Sequence, residues 1–234
     1  MTDEQKTIAF VTYPGLTVLD LVGPLQVLSG LAQYDAKYRV VVVGKDTAAV
    51  PTDTPLRIAP DRTFAEEPAP FAIVVPGGTA PTFRAMADET LLGWLRTAGA
   101  GAELITSVCT GSLILGAAGF LEGRRATTHW MMRDILAGFG ATPVAERWVE
   151  DGKVITAAGV SAGIDLALHL VERLAGTEVA RNIQFAVEYD PEPPLGPLDW
   201  AKAPFGDLKP LREIALREGL DGSPELLAKL LAHT

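Results

Sequence analysis

Short apolar runs that end at turn residues alternate with longer stretches of helical spacing along most of this chain. Thr7–Thr12, Arg39–Val43 and Phe71–Val75 are rich in β-branched residues and lack the polar alternation of a half-exposed strand, so they predict parallel strands buried on both faces. Glu103–Val108 predicts another. Leu19–Leu31, Pro81–Ala98 and Gly111–Ala118 have the length and spacing of helices. This repeated β-α-β order predicts an α/β fold: a doubly wound, mostly parallel sheet covered by helices. Arg147–Ile155 breaks the pattern, because two β-rich arms around Asp151-Gly152 predict a hairpin with a two-residue turn. Gly163–Leu174 and Glu178–Val187 predict two closing helices, which would end a domain of residues 1–189 near Tyr189.

Prolines at 191, 193, 194, 197 and 204 then exclude helix interior or central strand and predict a linker or surface strap. Asp207–Glu218 and Ser223–Ala232 predict short helices, the second with Ser223 as N-cap and Pro224 in the first turn. Residues 190–234 are thus expected to be an appendage and not an independent domain.

Composition narrows the classes. A chain of 234 residues, 48% hydrophobic and 21% charged, can bury one large core. A net charge of -9 without clustered Lys or Arg argues against nucleic acid. Met1–Lys6 is polar with no apolar signal core, and no run approaches the ~18 apolar residues of a membrane span. The single cysteine permits no intrachain disulfide, so a cytoplasmic location is expected. There is no P-loop or dinucleotide fingerprint, and His129, His169 and His233 are too scattered for metal ligation, so neither cofactor nor metal is expected.

That cysteine carries the most specific chemistry. In Ser107-Val108-Cys109-Thr110-Gly111 it falls in the sharp turn between a strand and a helix, where small neighbours admit a strained, displayed nucleophile. The helix amino end would favour its thiolate and lower its pKa; the competing reading is a small buried hydrophobe. In an open α/β sheet ligands bind beyond the carboxyl ends of the strands. Two other segments belong there. Asp20, between leucines at the head of a helix, is either a catalytic acid or an N-cap. Pro76-Gly77-Gly78-Thr79 is either an anion-binding nest or a tight turn. Thr110 offers its N–H and hydroxyl to a thiolate or to charge developing on a substrate.

Leu19–Pro24, Val75–Thr79, Ser107–Gly111 and Gly123-Arg124-Arg125-Ala126-Thr127-Thr128-His129-Trp130, in this order, resemble the ThiJ/PfpI superfamily, related to class I glutamine amidotransferases. The resemblance runs from Thr7 to Tyr189 and includes Ala158–Asp165, which is similar to the segment that starts a helix beside the family's cysteine. It implies a flavodoxin-like fold, a homodimer, catalytic Cys109, Asp20 and Thr110, and a substrate- or oxyanion-binding set of Gly77, Gly78, Thr110, Gly159 and Val160. Members with a Cys-His pair often carry histidine directly after the cysteine, where this chain has Thr110. His129 is therefore expected to pack or to hold a loop, although a reach back to Cys109 stays open. Trp130, Trp148, Met131 and Met132 suit an apolar cavity, but also a core or subunit contact.

Within the superfamily, the acid in Leu-Asp-Leu, the threonine after the cysteine and Arg-Arg-Ala-Thr-Thr-His-Trp resemble isocyanide hydratases and the sensor domains of some transcription regulators. The hydratase resemblance implies attack of Cys109 on the terminal isocyanide carbon, a thioimidate, and hydration to an N-formamide with Asp20 carrying the protons. Burial would raise the Asp20 pKa in the direction this needs. Two alternatives remain: ligand sensing without turnover, and redox sensing by an exposed, low-pKa cysteine. The acidic balance of residues 190–234 opposes a DNA-binding tail.

Overall fold

The computed structural model describes residues 5–233; the acidic start Met1–Glu4 lies outside the described residues. In chain order the elements are β1 (Lys6–Val11), α1 (Val18–Tyr34), β2 (Tyr38–Gly44), β3 (Val50–Pro51), β4 (Arg57–Ile58), β5 (Arg62–Thr63), β6 (Ala72–Val75), α2 (Ala80–Ala85), α3 (Glu89–Gly101), β7 (Leu104–Ser107) and α4 (Gly111–Ala117). There follow β8 (Arg125–Ala126), 3-10 turns at Trp130–Met132 and Asp134–Phe139, β9 (Thr142–Pro143), β10 (Trp148–Asp151), β11 (Val154–Ala157), α5 (Ala162–Ala175), α6 (Thr177–Ala186), a 3-10 turn at Trp200–Lys202, α7 (Phe205–Gly219) and α8 (Pro224–Leu231).

The main sheet has the order β10-β11-β7-β6-β1-β2-β5, parallel except for the β10–β11 pair at one edge. Its central strands are buried throughout, as their unbroken apolar sequences require. The α1, α5 and α6 helices pack on one another, while α2 contacts α4 and α7, and the sheet lies within this doubly wound arrangement. Phe10 is in register with Val74, and Val75 with Ser107, so the turns after β1, β6 and β7 open on the same edge.

Three details differ from expectation. Pro81–Ala98 is not one helix: α2 stops, and the Asp88 carboxylate caps α3 by accepting from the Thr90 and Leu91 N–H groups at 2.9 and 3.3 Å. The hairpin turn is one residue later, at Gly152-Lys153, since Asp151 pairs with Val154 and Gly152 supplies the positive φ of 66°. Ser223 occupies the N-cap position of α8, but its side chain makes no cap bond.

The core also continues past Tyr189. Leu216, Leu220 and Leu230 join the same buried cluster as the sheet. At the end of α7, Gly219 permits contact with α2, because a Cβ there would stand 2.7 Å from the Ala80 carbonyl and run into Phe83. Arg212, 1% exposed, sends Nη1 to Asp134 at 2.8 and 2.9 Å and to the Met131 carbonyl at 2.8 Å. The last helices therefore belong to the body of the protein, whereas Leu195, Leu198 and Trp200 in the proline-rich stretch are exposed.

Candidate active site

Cys109 sits between β7 and α4 with φ of 57°, one of two non-glycine residues with positive φ among those described. That conformation costs an L-residue energy and is held by its surroundings. The Cys109 N–H donates to the Ala158 carbonyl at 2.9 Å, its carbonyl accepts from Thr128 Oγ1 at 2.9 Å, and the Val108 N–H is bound by the Val75 carbonyl at 3.0 Å. Gly111 is required by space alone: a Cβ would collide with the Val75 carbonyl. This is the clearance expected of the elbow.

The side chain is buried, 4% exposed, and faces Asp20, itself fully buried. Asp20 is not an N-cap. It lies inside the first turn of α1, whose leading Val18 N–H is instead bound by Asp53 Oδ1 at 2.9 Å. Its Oδ2 accepts from the Gly77 N–H at 2.9 Å, while Oδ1 has no well-formed hydrogen bond of its own. Burial raises the Asp20 pKa from 3.8 to about 7, against the opposing pull of the Gly77 N–H and the thiol.

The expected lowering of the cysteine pKa is overturned. Burial, and then the adjacent Asp20 charge, push the Cys109 thiol well above its ordinary value, although the Thr110 and Val160 N–H groups oppose them. The α4 helix is short and its amino end is sealed from water, so desolvation outweighs the dipole. The exposed cysteine on which a redox-sensor reading depends is not what this fold presents, since Cys109 is 4% exposed.

The Gly77-Gly78 turn also works differently from a nest awaiting an external anion. The Gly77 N–H is taken by Asp20, and the Gly78 N–H donates to Thr110 Oγ1 at 2.9 Å. Thr110 Oγ1 in turn donates to the Gly78 carbonyl at 2.7 Å, so its hydroxyl faces the turn while its N–H faces the thiol. A Cβ on Gly77 would stand 2.5 Å from the Thr110 nitrogen and 2.9 Å from Asp20 Oδ2. The glycines thus let the acid, the threonine and the elbow close on one another.

Two contributors were not singled out in the sequence. Tyr13 hydroxyl lies 3.0 Å from both the Pro76 carbonyl and Thr82 Oγ1, and Thr82 Oγ1 lies 3.1 Å from Thr110 Oγ1. All three side chains are buried, and the chain fixes the Pro76–Gly78 turn from beneath. Their partners are so remote in sequence that no local pattern announces them.

Gly159 and Val160, before α5, face the elbow from the other side. The Val160 N–H reaches the thiol, and Gly159 leaves room for His129, whose Cδ2 would stand 2.8 Å from a Cβ there. His129 holds its own turn: Nδ1 accepts from the Met131 N–H at 3.4 Å, and burial lowers its pKa. Among the described groups acting on the thiol there is no histidine. Beside Gly159 and Val160 lies a cleft of about 690 Å³, bordered also by His129, Trp130, Leu198, Trp200 and Phe205. Trp148 and Met132 take no part in it.

An open, mostly parallel sheet with a buried cysteine on a strained strand-to-helix elbow and a carboxyl group against it defines a cysteine-elbow α/β protein. The chain belongs to the DJ-1/PfpI family, whose model matches residues 6–173. It is 45% identical over 188 residues to the isonitrile hydratase of Pseudomonas putida, covering 80% of each chain. It is 30% identical over 177 residues to the HTH-type transcriptional regulator CdhR of Pseudomonas aeruginosa, covering 74% of this chain and 52% of that one. A solved ThiJ/PfpI family protein from Pseudomonas syringae superposes with a TM-score of 0.82 at 39% identity, over 97% of this chain and 90% of the other. Among the described residues no helix is long and apolar enough to cross a membrane.

Proposed function

We propose that this chain is an isocyanide hydratase, converting R–NC and water to an N-substituted formamide. The observation that carries the reading is the buried pairing of the Cys109 thiol with the Asp20 carboxyl, with no histidine acting on the sulfur. Similarity to an isonitrile hydratase over four-fifths of the chain supports it.

The Asp20–Cys109 pair is active when it holds one proton. Asp20 takes the thiol proton as Sγ bonds to the terminal isocyanide carbon, then delivers it to that same carbon; the product is a thioimidate, R–N=CH–S–Cys109. Asp20, again a carboxylate, takes a proton from water as the water oxygen adds to the carbon, and the nitrogen receives that proton. The tetrahedral species collapses as the C–S bond breaks, its electron pair returning to sulfur and the hydroxyl proton returning through Asp20 to the pair. No amine leaves, so one carboxyl group suffices where amide hydrolysis uses a histidine shuttle. Val160 and Thr110 present N–H groups to the sulfur and stabilise its developing charge.

The reading extends to a homodimer in the cytoplasm. Leu19 and Val22, 42% and 38% exposed, flank Asp20 on α1 and offer an apolar contact close to the site. The redox-sensing alternative asks for an exposed thiol, whereas Cys109 is 4% exposed; ligand sensing without turnover is the reading that similarity to a transcriptional regulator favours. Incubating an aryl isocyanide with the wild-type protein and with Cys109→Ala tests the function: formamide forms with the first and not with the second. Mass spectrometry of a rapidly quenched mixture finds the isocyanide mass added to Cys109. A wild-type protein that yields no formamide overturns the assignment.

A further inference from the structure

One side of the cleft beside the elbow is formed by a part of the chain that lies outside the matched family region, while Trp130 and the polar side chains His129, Arg133, Glu146, Arg147 and Ser161 belong to that region. Trp130 is in the first 3-10 turn; Trp200 meets it edge-on with ring centroids 6.2 Å apart, and Phe205, opening α7, stands 6.1 Å from it. Leu198 and Ala203 complete this side. The wall is not a loose strap. Arg212 lies over the Phe205 ring at 5.0 Å while binding Asp134 and the Met131 carbonyl, which ties α7 to the turn that carries Trp130 and to the turn that follows it. Asp199 fixes the Trp200 turn by accepting from the Ala201 N–H at 3.1 Å. Leu198 and Trp200 nevertheless remain 74% and 57% exposed, a large apolar area to leave in water without an occupant.

The reaction supplies the occupant. An isocyanide is linear through its terminal carbon and nitrogen, so once Sγ is bonded to the carbon the substituent lies beyond the nitrogen. The inner chamber has no room for it: Asp20, Thr110 and Cys109 are nearly or fully buried and are packed against the Gly77-Gly78 turn. The cleft borders Gly159 and Val160, the second of which touches the thiol through its N–H. At about 690 Å³ it falls in the range of about 300–1,000 Å³ typical of small-molecule sites.

We propose that the Leu198–Phe205 segment folds back in its own subunit as the outer wall of the substituent subsite, and that its aromatic rings select isocyanides bearing large, flat, apolar groups. The proposal rests on the hydratase reading and adds that specificity resides in the segment after the family domain. Flat rings gain stacking and edge contacts against Trp130, Trp200 and Phe205 that a methyl group cannot make.

The test compares 2-naphthyl isocyanide with methyl isocyanide in the full-length protein. Trp200→Ala raises the KM for the naphthyl substrate about tenfold more than the KM for the methyl one, equivalent to losing one aromatic face of the site; Trp200→Phe restores most of the difference. Leu195→Ala, on the same strap but 97% exposed and away from the cleft, leaves both substrates unchanged. An unchanged ratio of the two KM values in Trp200→Ala overturns the inference while leaving the hydratase reading in place. Failure of the wild-type protein to hydrate either substrate overturns both.

Discussion

The inner chamber and the outer cleft meet at Val160 but are built in opposite ways. The chamber is made of backbone N–H groups, short polar side chains and glycine clearances, and nearly every polar atom in it already has a partner within the protein. The cleft is made of side chains: half-buried Trp130 and Phe205 with exposed Leu198 and Trp200 on one side, and polar His129, Arg133, Glu146, Arg147 and Ser161 around the rest. The chamber is held by main-chain geometry that tolerates almost no change, whereas the cleft is lined by side chains that can vary without disturbing it; under the hydratase reading, chemistry belongs to the first and choice of substrate to the second.

Activity depends most steeply on Asp20. Asp20→Asn keeps an acceptor for the Gly77 N–H but carries no proton, and kcat falls by about a thousandfold or more, measured as formamide release. The same change stabilises the fold at alkaline pH. Because the folded-state pKa is raised to about 7, the folded protein binds a proton between pH 4 and 7 that the unfolded chain does not, and the wild type loses stability as pH rises through that window. At pH 8 the variant gains up to about 4 kcal/mol in denaturant melts, and at pH 3 the gap closes. In the wild type, kcat/KM falls tenfold per unit as pH drops below about 7, where the pair takes up a second proton and Asp20 ceases to act as a base.

Gly111→Ala puts a methyl group against the Val75 carbonyl and costs about 3 kcal/mol or more in stability, with the elbow displaced and activity lost. Thr82→Val removes one link from the Tyr13–Thr82–Thr110 chain; about 1–2 kcal/mol of stability goes, and kcat drops severalfold at nearly constant KM. In the cleft the effect on the fold is smallest. Trp200→Ala shifts stability by less than about 0.5 kcal/mol even as it alters substrate preference, and a larger loss in denaturant melts would mean that the ring holds the fold as well as the cleft.

The strands and the elbow were legible because each has one local cause. Continuous apolar runs mark strands covered on both faces, and a small residue two places after the cysteine marks a turn with no room for a side chain. Asp20 and Gly77 stood out for the same reason, an odd residue in a plain context, although what each bonds to is tertiary: the acid's donor comes from the turn after another strand. Tyr13 and Thr82 carried no mark, since a tyrosine after a strand and a threonine in a short helix are commonplace. The break at Asp88 was hidden because an acid at that spacing fits a helix surface equally well. Leu216 and Leu230 fall in expected helices and Leu220 just beyond one, but the surface that receives them is assembled from α2 and the Asp134–Phe139 turn. The thiol's raised pKa was missed because a sequence places a residue at a helix end without saying how much water reaches it.

That dry setting gives Cys109 a reactivity governed by the caliper of what approaches it. With 4% of the residue's surface open, the sulfur is guarded against bulky oxidants and branched alkylating agents before any question of electronics arises. A conventional thiol label would report an inert residue. Under the hydratase reading, the burial that silences the cysteine toward most reagents would also act as a sieve, selecting the slender end of a molecule over the rest.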